Sequence, residues 1–267
     1  PNKNIIYLKE KDLEEGDHIN TLSLDVFREN GILKGSLESE SMYENLSKKS
    51  YGVFNIINPI YYENPPILSK NRFDNEVFFD ELFNDFKLID FDDKIEIIEV
   101  EDYDRIELYI TNKFTNKVRI DYYRYGQDTP IKTKHLSKTE IFLVIKNDGN
   151  CSSHLSIHSE GDKSDNTLKG IIYIQGDLNL YDNINFNGII VIDGGKLNVY
   201  SREKPNVNGL MIVNNFEGED LIREKINLKQ DIFYIESYGI FLPNFVKPDL
   251  YIIKDKWFIK ERWIIWN

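Results

Sequence analysis

The chain has 267 residues, 41% of them hydrophobic, enough for one large domain or two small ones around a real core. Its 45 acidic and 33 basic side chains give a formal charge of −12, a surface that repels nucleic-acid phosphates and anionic lipid; no basic stripe relieves it, which excludes nucleic-acid binding. Cys151 is the only cysteine, so there is neither a disulfide framework nor a CxxC metal site, and no apolar run reaches the roughly 18 residues that a membrane span needs.

Asn4 to Leu8 is a short apolar stretch followed by charged residues 9–17. Ile19, Leu22, Leu24, Val26, Phe27, Ile32 and Leu33 recur near helical spacing and predict a helix over Thr21 to Asn30. After a polar loop at Ser36 to Ser41, a further helical turn is expected at Met42 to Leu46. Val53, Ile56 and Ile57 suggest a strand within Tyr51 to Tyr62, and Asn64-Pro65-Pro66 forces extended backbone. Phe73, Val77, Phe78, Leu82 and Phe86 predict an amphipathic helix. Glu76, Asp80, Glu81 and Asp85 on its other face read as a solvated surface rather than a catalytic acid pair.

The segments Lys94 to Glu101, Arg105 to Asn112, Lys117 to Tyr125 and Thr139 to Asn147 alternate with period 2. With turns at Thr115-Asn116 and Asp148-Gly149 they predict a four-stranded antiparallel meander, one face of which a helix covers. His154-Leu155-Ser156-Ile157-His158 is the first place to weigh metal chemistry. On a strand the two histidines share a face but sit too far apart for one ion without a sharp bend. On a helix the spacing would suit zinc, but there is no HExxH and the stretch reads as β. His18 and His135 are the only other histidines, and no GxSxG surrounds a serine. Gly161 to Asn166 has the composition of part of a calcium loop without its glycine position or terminal glutamate, and reads as a polar turn. Neither a metal nor a cofactor is expected.

One phrase then occurs three times: Gly170-Ile171-Ile172-Tyr173-Ile174, Gly188-Ile189-Ile190-Val191-Ile192 and Gly209-Leu210-Met211-Ile212-Val213. The glycines are 18 and 21 residues apart, and alternating pieces (Asp177 to Leu180, Lys196 to Val199) lie between. This period suits rungs of a β-helix, with Gly170, Gly188 and Gly209 as structural glycines at sharp corners. An ordinary antiparallel meander of similar strands is the alternative. Asp177 and Asp193, each beside a glycine, read as turn residues. Further on, a helix is expected around Leu221 to Ile226, and strands over Asp231 to Ile240 and Leu250 to Ile253. The end holds all three tryptophans, Trp257, Trp263 and Trp266. They are expected to cap the core on a docked strand, with a surface aromatic patch for carbohydrate or a partner as the alternative. The expected fold is α+β, mostly β: an N-terminal helix and antiparallel meander over 1–149, joined to short β-solenoid-like repeats with capping strands over 150–267.

The rung phrases at Gly170 to Leu180, Phe186 to Val199 and Val207 to Val213, with Trp263 or Trp266, resemble the soluble part of PilX-like minor pilins of type IV pilus systems. The resemblance implies a non-enzymatic filament subunit at the pilus tip or priming its assembly, exposed at the cell surface and held in the cytoplasmic membrane beforehand. Its partners would be other pilins of the same filament and host or abiotic surfaces. In that family a hydrophobic N-terminal helix precedes this region; the chain opens on Pro1 rather than Met, which leaves room for such a segment ahead of it, and the resemblance implies that Thr21 to Asn30 would continue that stem. The resemblance carries over no catalytic residues. The competing readings are a cytoplasmic β-helical scaffold that polymerises, and a carbohydrate-active β-helix protein.

Overall fold

The computed structural model describes residues 4–8, 20–29, 32–43, 46–62, 66–70, 76–90, 93, 95–111, 117–147, 153–160, 167–214 and 219–246. The chain divides into two compact units, one of residues 1–62 with 244–267, the other of 63–243.

The first unit is a four-stranded antiparallel sheet in the order β1 (Asn4–Leu8), β2 (Asn20–Glu29), β3 (Ile32–Tyr43), β4 (Leu46–Asn55). The predicted helix over Thr21 to Asn30 is therefore wrong, and with it the N-terminal helical stem: β2 pairs with β3 from Asn20↔Ser41 to Glu29↔Ile32. Of the expected helical turn at Met42 to Leu46, Met42 and Tyr43 end β3 and Leu46 begins β4, in register. Leu22, Leu24 and Val26 alternate as a strand does, and that period wins because β3 offers a long partner. Gly35 lies opposite Phe54, whose ring occupies the space where a Cβ would stand, 2.4 Å away. In the same unit Asn58 N–H donates to the Phe245 carbonyl at 2.9 Å, and the Tyr61 and Phe245 rings meet edge-on at 4.8 Å.

The second unit is a stack of parallel rungs. Its elements are β5 (Ile67–Ser69), α1 (Glu76–Phe83), β6 (Ile97–Val100), β7 (Arg105–Thr111), β8 (Val118–Tyr123), β9 (Lys132–Leu136), β10 (Glu140–Ile145), β11 (Ser153–Glu160), β12 (Thr167–Leu180), β13 (Asn185–Val199), β14 (Asn206–Asn214), α2 (Glu219–Lys225), β15 (Asn227–Lys229) and α3 (Ile232–Gly239). β12, β13 and β14 lie parallel with the repeated phrases in register, Gly170 opposite Gly188 opposite Gly209. The first half of β12 also pairs with β10 and its second half with β11, so one strand bends to serve two stretches of the preceding rung. β6 continues the row beyond β10, and β5 closes it beyond β14, all parallel.

The chain bends at glycines. Gly170, Gly188 and Gly209 have φ of +119°, +151° and +141°, and a Cβ on any of them would stand 1.9–2.0 Å from the carbonyl oxygen of the rung before. Between Gly176 and Leu178 the register slips, because β13 carries Gly195 and Lys196 against the single Asp177. That extra residue is a bulge. Each rung contributes alternate residues to one shared core, among them Leu143, Ile172, Ile174, Ile190, Ile192, Met211 and Val213.

The intervening residues of the four-residue runs, Ile171, Tyr173, Ile189, Val191, Leu210 and Ile212, point the other way and are fully buried too. A second layer covers them. Phe86 stacks on Tyr173 at 4.0 Å, Phe142 meets Tyr238 and Phe241, and α3 lies on β13 and β14. Continuous apolar runs are what a parallel strand needs when both faces are dry, each buried aliphatic contributing about 1.5–3 kcal/mol.

The antiparallel meander expected over 94–147 forms only in part. β7, β8 and β9 are antiparallel neighbours, whereas β6 and β10 join the parallel row. Strands on either side of residue 150 thus share one sheet, and the compact units part at 62/63 and 243/244 instead. β9 escaped the sequence reading because both of its faces are polar, Lys132, Thr133, Lys134 and His135 leaving Leu136 as its single apolar residue. Asp231 to Ile240 is not a strand but α3, which begins where the Asp231 carboxylate accepts from Phe233 N–H. The helices expected near Phe78 and Leu221 are α1 and α2. Leu250 to Ile253, the three tryptophans, Cys151, His18, Gly161 to Asn166 and the turns at 115–116 and 148–149 lie outside the described residues.

Candidate functional face

The outer surface of β9, β8, β7, β11, β12 and β13 is one broad sheet face on which side chains fall into rows. Ile106, Leu108, Ile120, Leu155, Ile157, Leu178 and Leu180 point into the core, so the residues between them point out. One row runs Tyr123, Arg105, His154, Asp177; a second runs Thr133, Asp121, Glu107, Ser156, Asn179, Asn198. The third runs His135, Arg119, Tyr109, His158, then Tyr181 and Tyr200, whose rings continue the stack.

Each row holds contacts that link neighbouring strands. In the second, Asn198 donates to Asn179 Oδ1 at 3.0 Å and Asn179 to Ser156 Oγ at 3.4 Å. Glu107 and Asp121 are register partners, two carboxylates directly opposite, which is unfavourable without neutralising neighbours. Those neighbours are present. Glu107 accepts from the Tyr109 and Tyr123 hydroxyls and lies 3.6 Å from Arg105. Asp121 accepts from Thr133 Oγ1 at 2.7 Å and Arg119 Nε at 3.1 Å, and Arg119 reaches Glu160 at 2.9 Å. The same arginines cover rings: Arg105 sits 4.0 Å over Tyr123 and Arg119 4.1 Å over Tyr109. Burial first, then the Glu107 carboxylate beside it, raises the Tyr109 hydroxyl above the usual phenol range; the same two causes act on Tyr123.

The third row is a column of near-parallel rings, Tyr109 to His158 at 4.8 Å, His158 to Tyr181 at 4.4 Å and Tyr181 to Tyr200 at 4.8 Å. Desolvation between two tyrosines lowers the His158 pKa, against the opposing pull of Glu107, Asp182 and Glu160; Arg119 acts in the same direction as burial. A histidine depressed in the fold binds its proton more readily when unfolded. Stability is therefore complete above about pH 6.5, the unfolded value, and falls as pH drops from there through the folded value. His158→Phe keeps a ring in the column but cannot titrate. Denaturant midpoints between pH 7.5 and 5.5 should fall less for this variant than for the parent; equal falls would remove His158 from the pH response.

The structure separates the two histidines weighed for metal. His154 stands in the first row with Nδ1 3.6 Å from Asp177, and His158 lies in the ring column. Among the described residues no group of three His, Cys, Asp or Glu is placed to hold a metal ion. Asp177 and Asp193 serve neighbouring rungs. Asp177 accepts from Lys196 N–H at 2.8 Å; Asp193 accepts from the Tyr173 hydroxyl at 2.9 Å and from Asn214 Nδ2 at 2.7 Å. Asparagines opposite one another, Asn185 and Asn206, Asn187 and Asn208, are joined in the same way. A cavity of about 230 Å³ lies between β6, β9 and β10, with Ile98, Leu136 and Ile141 on its floor and the Lys134–Glu96 ion pair at its rim.

The sequence reading missed the face, although a signal for it exists. Asn179-Leu180-Tyr181 and Asn198-Val199-Tyr200 repeat a polar–apolar–aromatic phrase that Ser156-Ile157-His158 and Glu107-Leu108-Tyr109 share in altered form. Chemically the face offers a fixed array of hydroxyls, amides and ring edges, its acids already engaged by donors. No family model matches the chain, and neither a curated protein nor a solved structure does.

Proposed function

We propose that this chain is a non-enzymatic structural subunit of a surface filament of the type IV pilus kind, a minor pilin whose partners are the other pilins of that filament. The observation that carries the structural role is the use made of polar side chains on the rungs: Asp177, Asp193, Asn179, Asn198 and the paired asparagines bind the next rung. Such groups make a rigid body rather than poised acids and bases. The pilus assignment rests on the rung phrases of the sequence.

The polymerising scaffold is less well supported. Among the described residues the row ends, beyond β14, in a three-residue β5 that follows Pro65-Pro66 in the sequence and in the equally short β15 with Lys229. Short strands, prolines and lysines are what edges carry to avoid further pairing. Among the described residues no helix is long and apolar enough to cross a membrane, and Asn20–Glu29 is a strand, so any stem lies elsewhere.

Antibody to this chain, applied to shear-released surface filaments and to the fractionated cells that make it, tests the proposal. The chain should be found along or at the end of filaments. Recovery only in the cytoplasmic fraction, with none on filaments, would overturn it.

A further inference from the structure

We infer that the outer face around Tyr200 binds a neutral glycan chain. In the ring column Tyr109 is covered by Arg119 and His158, His158 by two tyrosines, and Tyr181 by His158 and Tyr200. Among the described residues Tyr200 closes the column with a ring neighbour on one side, and it is 60% exposed. It therefore presents one ring face to solvent, held in place by three rings behind it. The C–H face of a pyranose packs on such a ring and excludes water as an apolar group does.

The surroundings suit hydroxyls. Asn198, next outward residue on β13, is oriented by its bond to Asn179, so its amide is fixed beside the ring. Lys196 follows on the same strand face, its N–H fixed by Asp177. Polar groups of the second row recur at the strand spacing of about 4.8 Å, close to the rise of an extended β-linked sugar chain lying across the strands.

Charge selects against ionic partners. The chain carries −12, and this face holds three permanent cations, Arg105, Arg119 and Lys196, against Glu107, Asp121 and Asp177 along the rows and Glu160 and Asp182 beside His158. That excess of acid repels a polyanion, and the carboxylates already accept from neighbouring donors, Glu160 from Arg119 and Asp182 from Ser159 N–H among them, rather than standing free for a polycation. A neutral polyhydroxylated polymer fits, and this inference stands whether or not the chain belongs to a filament.

The test uses the purified chain on arrayed neutral oligosaccharides, β-linked glucose and N-acetylglucosamine oligomers among them, with cellulose and chitin as insoluble probes. The parent should be retained on at least one neutral probe. Tyr200→Ala should weaken retention roughly tenfold and Asn198→Ala several-fold, while Tyr200→Phe retains binding. Tyr125→Ala, removing an 88% exposed tyrosine in a turn, is the control and should change nothing. Thermal unfolding of all variants reports that the fold is intact. The inference fails if no neutral probe retains the parent, if Tyr200→Ala binds as well as the parent, or if only charged glycans bind and salt abolishes it.

Discussion

Gly188→Ala is expected to destabilise the rung unit by at least ~3 kcal/mol, the sum of a strained positive φ and an overlap that small shifts do not relieve. At φ +151° the added Cβ would stand 2.0 Å from the Gly170 carbonyl oxygen and 3.0 Å from its carbonyl carbon. The obstacle is backbone, hydrogen-bonded in register, so relief requires two rungs to separate. Gly170 and Gly209 stand in the same column with the same obstacle and should behave alike. Gly194 isolates the two causes. Its φ is +77° but nothing lies within 4 Å of the Cβ position, so Gly194→Ala should cost only the left-handed backbone strain of ~1–2 kcal/mol. Urea or thermal unfolding of the two variants measures the difference. Equal losses would mean that the rungs do not approach as closely as Gly188 requires.

Ile189→Ala and Ile190→Ala should each cost about 2–5 kcal/mol and differ little from one another. Adjacent residues on a strand face opposite sides, and in a sheet with one wet side the outward one would be nearly silent. Here Ile190 lies in the core shared by the rungs and Ile189 beneath the second layer, 1% and 0% exposed. Denaturant unfolding reads both losses. A near-neutral Ile189→Ala would show that the second layer does not cover this strand.

The rungs were legible in the sequence because two independent constraints repeat with them. A glycine must sit wherever one rung's corner meets the carbonyl of the last, and a run apolar on both faces must follow. The N-terminal strands were illegible for the opposite reason. Ile19, Leu22, Val26 and Phe27 satisfy a helical period while Leu22, Leu24 and Val26 satisfy a period of two, and only the availability of β3 decides between them. α3 misled through its Ile, Phe and Tyr content, which favours strands in isolation; its buried Ile235, Tyr238 and Gly239 recur as a helix requires, after the Asp231 cap. The candidate face depends on β7 pairing with β11, a contact between distant segments that local periodicity does not encode, and on the polar strand β9 extending the sheet beyond β8. Its ring column was written in the sequence as single aromatics at rung ends, visible only once the rungs are laid side by side.

The parallel, in-register stack is the claim on which the glycine column, the double burial and the outward rows all depend. Interstrand backbone contacts measured by NMR on the isotope-labelled, protonated chain test it most directly. A parallel stack predicts that contacting residues keep a constant separation: Ile171 with Ile189, Ile172 with Ile190 and Tyr173 with Val191, then Ile189 with Leu210, Ile190 with Met211 and Val191 with Ile212. An antiparallel arrangement of the same three strands would instead pair residues whose numbers keep a constant sum, with short contacts between α-protons. Observation of that second pattern would contradict the rung stack.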